Sequence, residues 1–294
     1  MSIQTSGMIG AGLTVLLAGL FLVRKRFAAA SGAGKLLVLG PVFEAVALSI
    51  FAAEHFLMAR DLAGIVPHWL PSPLFWTYFV GLALLASAIS FIAGRYVCWS
   101  SSLLALLFLI IVATVDLPNL PPHLHDRLFW TLTFRETAFA SGAMVLAGSL
   151  FARTTGAVLV TLGRSIVACT FVFYAIEHFL FPRFVPGVPL EKLTPAWVPS
   201  PVLLADFVGL TLLGAGIGLM IPRTRRAAAA IAGAMLLLLT IFFYLPILVM
   251  EIQTPLAVEG VNYVGDTLLF AATALLAGYG GTVGTNCHRD NHQA

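Results

Sequence analysis

Two acid–histidine pairs are the chain's clearest candidates for chemistry. They are Glu54-His55, within Ala53-Glu54-His55-Phe56-Leu57, and Glu177-His178, within Ile176-Glu177-His178-Phe179-Leu180. Each pair ends a long apolar run and is followed by an arginine, Arg60 or Arg183. A carboxyl and an imidazole at this place can hydrogen-bond a quinone. If His55 and His178 approach each other at equal depth, two imidazoles can hold a metal or a haem. The third reading is a polar helix end whose carboxylate pairs with Arg60, Arg183 or a loop amide. Neighbours on a helix point about 100° apart, so the partner of each side chain belongs on another helix.

Further candidates sit near the same depth. Tyr78 and Asp116 in the first half match Asp206 and Tyr244 in the second, with the two residue types exchanged. With Glu136 and Asp266 they could line a polar pocket inside each half. Ionisable groups at membrane depth are costly and are functional candidates by default. Glu44 and Arg164 lie deeper, about 4.5 Å apart in repeat coordinates. The expectation is a buried ion pair across the repeat interface, with proton or ion passage as the alternative. His123 and His125 follow Pro121-Pro122, but His-x-His needs more ligands for a metal. Glu251 stands at the His123 position of the second copy, so no metal site is expected. The sequence contains no phosphate loop, dinucleotide fingerprint, nucleophile elbow or HExxH motif.

The elements that carry these residues follow from composition. The 294 residues are 60% hydrophobic and 10% charged, against about 25% charged in soluble domains. Apolar runs this long must face lipid, and continuous rather than alternating runs mean helices. Nine spans are expected, at 8–24, 36–58, 74–93, 99–116, 136–152, 157–181, 202–221, 228–249 and 266–282. The fifth is short and is bounded by Arg135 and Glu136. Ten of the sixteen Lys and Arg fall on one side of these spans, which the positive-inside rule places in the cytoplasm. Eleven of the thirteen acids lie at or near the other face, so any chemistry faces outward. The N-terminus is then outside and the C-terminus inside. Membrane topology explains the net charge of +3, and nucleic acid is excluded as a partner. Arg24-Lys25-Arg26 follows the first apolar run rather than preceding it, so that run reads as a retained span and not a signal peptide. Cys98, Cys169 and Cys287 are far apart and imply no disulfide framework.

The chain is also duplicated. Glu177 lies 123 residues after Glu54. Trp197-Val198-Pro199-Ser200-Pro201 lies 128 after Trp69-Leu70-Pro71-Ser72-Pro73, so the second copy carries five more residues around Pro189–Leu193. Leu117-Pro118 matches Leu245-Pro246 at 128, and Glu136-Thr137 matches Asp266-Thr267 at 130. Four spans per copy make the repeats parallel. The expected fold is an all-α polytopic bundle. Its parts are an N-terminal helix and basic loop (1–34), two four-helix units (35–153 and 154–283) and a tail (284–294).

Glu177-His178-Phe179-Leu180, Pro186-Gly187-Val188-Pro189 and Leu193-Thr194-Pro195-Ala196-Trp197-Val198-Pro199 together resemble the DoxX-like family of bacterial membrane proteins. Glu54-His55-Phe56-Leu57 and Trp69-Leu70-Pro71 match more loosely. The resemblance implies a four-helix membrane unit, used twice over about residues 35–282. It also implies, for some members, association with quinone-linked oxidation. The expectation is a redox-associated or lipophilic-ligand-binding component of the bacterial inner membrane. Quinone or lipid is the ligand class, and the bilayer and a membrane redox complex are the partners. A transporter and a structural or assembly subunit are the alternatives.

Overall fold

A computed structural model describes residues 1–151 and 153–279. Among them the chain is helical, with one isolated β-bridge, Phe184 to Leu193, and no strand. The long helices are α1 (Ile3–Ala29), α2 (Gly40–Leu57), α3 (Pro73–Ala93), α4 (Val97–Ile111) and α5 (Arg127–Leu150), then α6 (Arg153–Leu180), α7 (Pro201–Met220), α8 (Arg225–Leu239) and α9 (Ala257–Ala277). Eight stretches of the described residues are long and apolar enough to cross a membrane, which makes this a multi-pass membrane protein. The ninth expected span is α5. It is long enough, but Arg127, Arg135 and Glu136 lower its apolarity.

Local sequence sets the helix ends. Ser2 caps α1 by accepting from the Thr5 N–H, and Asp126 caps α5 by accepting from Leu128. Pro41, Pro73 and Pro201 sit in first turns, where a missing N–H costs nothing. Gly94 ends α3 in the left-handed region, at φ +67°.

Two helices expected as unbroken are interrupted at matching places. After α4 the residues Val112–Asp116 form a π-turn, and after α8 the residues Thr240–Tyr244 do the same. Leu117 N–H bonds back to Val112 and Leu245 N–H to Thr240, five residues rather than four. The cause is the next residue in each case. Pro118 and Pro246 have no N–H for the ladder, so the turn before each proline widens. The π-turns therefore end on Asp116 and Tyr244.

Packing differs from two separate four-helix bundles. The helices form a closed ring in chain order, α2–α3–α4–α5–α6–α7–α8–α9 and back to α2, while α2 and α5 barely touch. The two closures between halves, α5 on α6 and α9 on α2, are as extensive as those within halves. α5 and α9 meet in the middle, where Gly142 lets α5 approach Thr273. α9 is almost wholly enclosed by protein. It can therefore carry Asn262, Asp266, Thr267 and Thr273 although it spans the membrane. α1 packs outside the ring on α2, with Gly12 against Ile50 and Gly19 against Val42.

Cys98 is buried near the start of α4. Cys169 is free and exposed. Cys287 and the tail 284–294 lie outside the described residues.

Candidate functional site

The motif glutamates do not pair with Arg60 or Arg183. Each is buried and reaches the last helix of the other half. Glu54 accepts from Asn262 Nδ2 at 2.6 Å. Glu177 accepts from Thr131 Oγ1 at 2.6 Å, with Arg127 Nη1 at 3.6 Å. A hydrogen bond to a charged group contributes about 1.5–3 kcal/mol. These two bonds help hold the α9–α2 and α5–α6 closures. Tyr174 adds a third link, its hydroxyl donating to the Thr131 carbonyl at 2.9 Å.

Between these links lies an ion network on the α5–α9 contact. Arg135 donates to Asp266 Oδ2 at 2.9 Å and to Glu136 Oε1 at 2.8 Å. Asp116 lies close enough to feel both Arg135 and Glu136 electrostatically. Its Oδ2 is buried without a hydrogen-bond partner. Glu136 and Asp266 thus meet on Arg135, with Asp116 beside Arg135 and Glu136. They do so between the halves rather than inside separate bundles. Tyr78 and Asp206 do not join them. Tyr78 is 47% exposed and stacks on Phe56, and Asp206 on α7 has no part in the network.

The histidines are also apart. The central contact of the ring is α5 with α9, not α2 with α6, so His55 and His178 share no site. Among the described residues no three metal-ligating side chains gather, and His123 instead stacks on Phe129. Each histidine has a local partner for Nδ1. His55 donates to the Phe51 carbonyl at 2.8 Å and His178 to the Tyr174 carbonyl. A carbonyl only accepts, so both Nδ1 atoms carry hydrogen. In the neutral ring Nε2 is then an acceptor.

What faces Nε2 differs between halves. In the second half Gly187 N–H donates to His178 Nε2 at 2.9 Å, and the Tyr244 hydroxyl donates to the Pro186 carbonyl. The stretch Val185–Pro189 is buried there, and Gly187 takes φ +96° with Leu236 and Leu239 close by. The segment is fastened from outside as well. Arg127 donates to the Pro189 and Leu190 carbonyls, and Lys192 binds Glu251 at 2.7 Å and Glu259 at 3.1 Å. Burial opposes charging of Lys192, but Glu251 and Glu259 outweigh it and hold its pKa above the ordinary value. In the first half the segment 58–72 stays outside, with Ala59 its single buried residue. None of the described residues donates to His55 Nε2.

The expected Glu44–Arg164 pair does not form. Arg164 Nε donates to the Ala277 carbonyl at 2.9 Å and its Nη2 to Tyr279, so the guanidinium caps the end of α9. Glu44 is buried on α2, and its Oε2 has no partner. No sequence motif marks Thr131, Asn262 or Arg127 as partners of the glutamates, and Pro186-Gly187 stands in the family motif without a sign that its backbone meets His178 and Tyr244. The only available signal for the last was the five-residue excess of the second copy.

One family model, described as a domain of unknown function (DUF8561), matches residues 167–251. That span contains Glu177, His178, the buried Val185–Pro189 stretch and Tyr244. No curated protein and no solved structure matches the chain.

Proposed function

We propose that this protein binds a lipophilic, quinone-like molecule in its first half, between His55 and Asp116. The observation that supports the reading is the difference between the halves. His178 and Tyr244 hold the chain's own backbone at Gly187 and Pro186. Their counterparts by sequence offset are His55 and Asp116 (178 − 123 = 55; 244 − 128 = 116), and the segment 58–72 is not buried as Val185–Pro189 is. His55 Nε2 is an acceptor, and the Asp116 carboxylate, with Oδ2 unpartnered, is another. A ligand there must donate hydrogen bonds, as the two hydroxyls of a quinol do. Its apolar tail would lie among the spans. Glu136 and Arg135 sit behind Asp116 and fix its surroundings.

On this reading the protein is a redox-associated component of the bacterial inner membrane. The site opens on the outer, acidic face, the N-terminus lies outside and the C-terminus inside. The DoxX-like motifs at Glu177–Leu180 and Leu193–Pro199 agree with such a role. Transport is the second reading, favoured by the π-turns at Val112–Asp116 and Thr240–Tyr244, since such turns often mark functional helices.

The test is mass spectrometry of the organic extract of detergent-purified protein. The expected result is one equivalent of an isoprenoid quinone or quinol, lost in Asp116→Leu with helix content unchanged. An extract of bulk phospholipid only, identical in both proteins, overturns the proposal.

A further inference from the structure

α1 covers one of two matching tracks on the ring. On α2 and α3 it lies over Val42, Val46, Ile50, Leu57 and Ile92, where Gly7, Gly12 and Gly19 permit the approach. A β-carbon on Gly12 would stand 2.8 Å from Ile50, and one on Gly19 would stand 2.6 Å from Val42. Adding 123 to the α2 positions gives Ser165, Cys169, Phe173 and Leu180 on α6; adding 128 to Ile92 gives Met220 on α7. The two tracks differ in cover. Val42, Val46 and Ile50 are buried, whereas their counterparts Ser165 and Phe173 are half-buried and Cys169 is exposed.

Beside the Ser165 and Cys169 part of this track lies an apolar groove of about 340 Å³. Ser165, Ile166 and Cys169 form one wall and Trp130, Phe134 and Thr137 another. Val264, the α9 counterpart of Phe134 at an offset of 130, is buried, while Phe134 is only partly so. No charged side chain lines the groove. The same ring surface therefore appears twice, once with a helix seated on it and once without. The smaller Ser165 and Cys169, replacing Val42 and Val46, leave room for a helix at the same distance without requiring glycine throughout.

We infer that the α5–α6 groove is the docking site for one transmembrane helix of a partner polypeptide, antiparallel to α6, with small residues facing Cys169. The antiparallel sense follows from α1, whose amine end binds Gln253 near the end of the α8 span while α2 runs the opposite way. Close packing of small residues is the main source of helix association in lipid.

The test uses the full chain in lipid vesicles and a synthetic peptide of residues 1–30 as the probe helix. Gly12 lies against Ile50 and, at 3.8 Å, against Val46, the counterpart of Cys169, while Gly10 has nothing near it. With an added thiol oxidant (copper phenanthroline) to take up the two electrons, a Gly12→Cys peptide is expected to form a one-to-one disulfide adduct with the protein, read by intact mass. The adduct should disappear in Cys169→Ser and in Ser165→Trp, which fills the groove. The Gly10→Cys peptide should form none. Equal adducts from both peptides would overturn the inference. So would no Gly12→Cys adduct while a small lipophilic thiol reagent still labels Cys169, because the groove then admits lipid only.

Discussion

Replacing Arg135 with leucine isolates what the central ion network contributes. The guanidinium is mostly enclosed, with 18% of its side chain exposed, and it serves Glu136 and Asp266, whose side chains are 14% and 10% exposed. Removing one partner of a buried pair costs about 3–5 kcal/mol, because the other charge stays buried without compensation. The residual exposure of all three groups places Arg135→Leu near the lower end, at about 3 kcal/mol. For a chain of this size that is a loss of roughly 6–12 °C in melting temperature. The assay is thermal unfolding in mild detergent followed by tryptophan fluorescence. Adding Asp266→Asn removes the more enclosed orphan charge, so the double variant should melt well above the single one. The coupling comes from closing the cycle with Asp266→Asn alone. A single-variant loss below about 2 °C, or a double variant no better than the single, would refute the network as a structural tie between α5 and α9.

Other consequences are equally accessible. Gly187→Val puts a branched side chain at φ +96° against Leu236 and Leu239; it should cost at least about 1–2 kcal/mol and open the second-half site to added ligand. Pro118→Ala restores an N–H and should let the π-turn relax to an α-turn. Asp116 would rotate away, so ligand should be lost while thermal stability holds or rises. Lys192 contributes to stability through a pKa raised above its ordinary 10.5. That contribution is complete below the unfolded value and fades as pH climbs through the folded one. The melting difference between wild type and Lys192→Met should therefore be constant up to about pH 10 and shrink above it.

The helical membrane architecture was legible because hydropathy and charge report directly on lipid exposure. The acidic face could be read from the positions of Glu54, Glu177, Glu136 and Asp266. Helix partners were not legible, since they depend on rotation about each axis. Glu44 and Arg164 match in depth, yet α2 packs on α9 and Arg164 turns to the carbonyls at the end of α9. The polar-end reading paired the motif glutamates with Arg60, Arg183 or a loop amide; they bind Asn262 and Thr131 across the closures instead. Leu117-Pro118 and Leu245-Pro246 were visible as a repeat, but proline's missing N–H becomes a π-turn only once the flanking helix is in place. The five extra residues around Pro189–Leu193 marked a longer loop. That the Val185–Pro189 stretch beside them is buried follows from its contacts with His178, Tyr244 and Arg127.

The most direct test of a first-half site between His55 and Asp116 is a binding titration with one short-tailed quinol and its oxidised quinone. Both groups at the site accept hydrogen bonds, so the quinol should bind more tightly than the quinone. His55→Ala and Asp116→Leu should each remove that preference. Equal affinity for the two forms, or tighter binding of the quinone, would contradict the account.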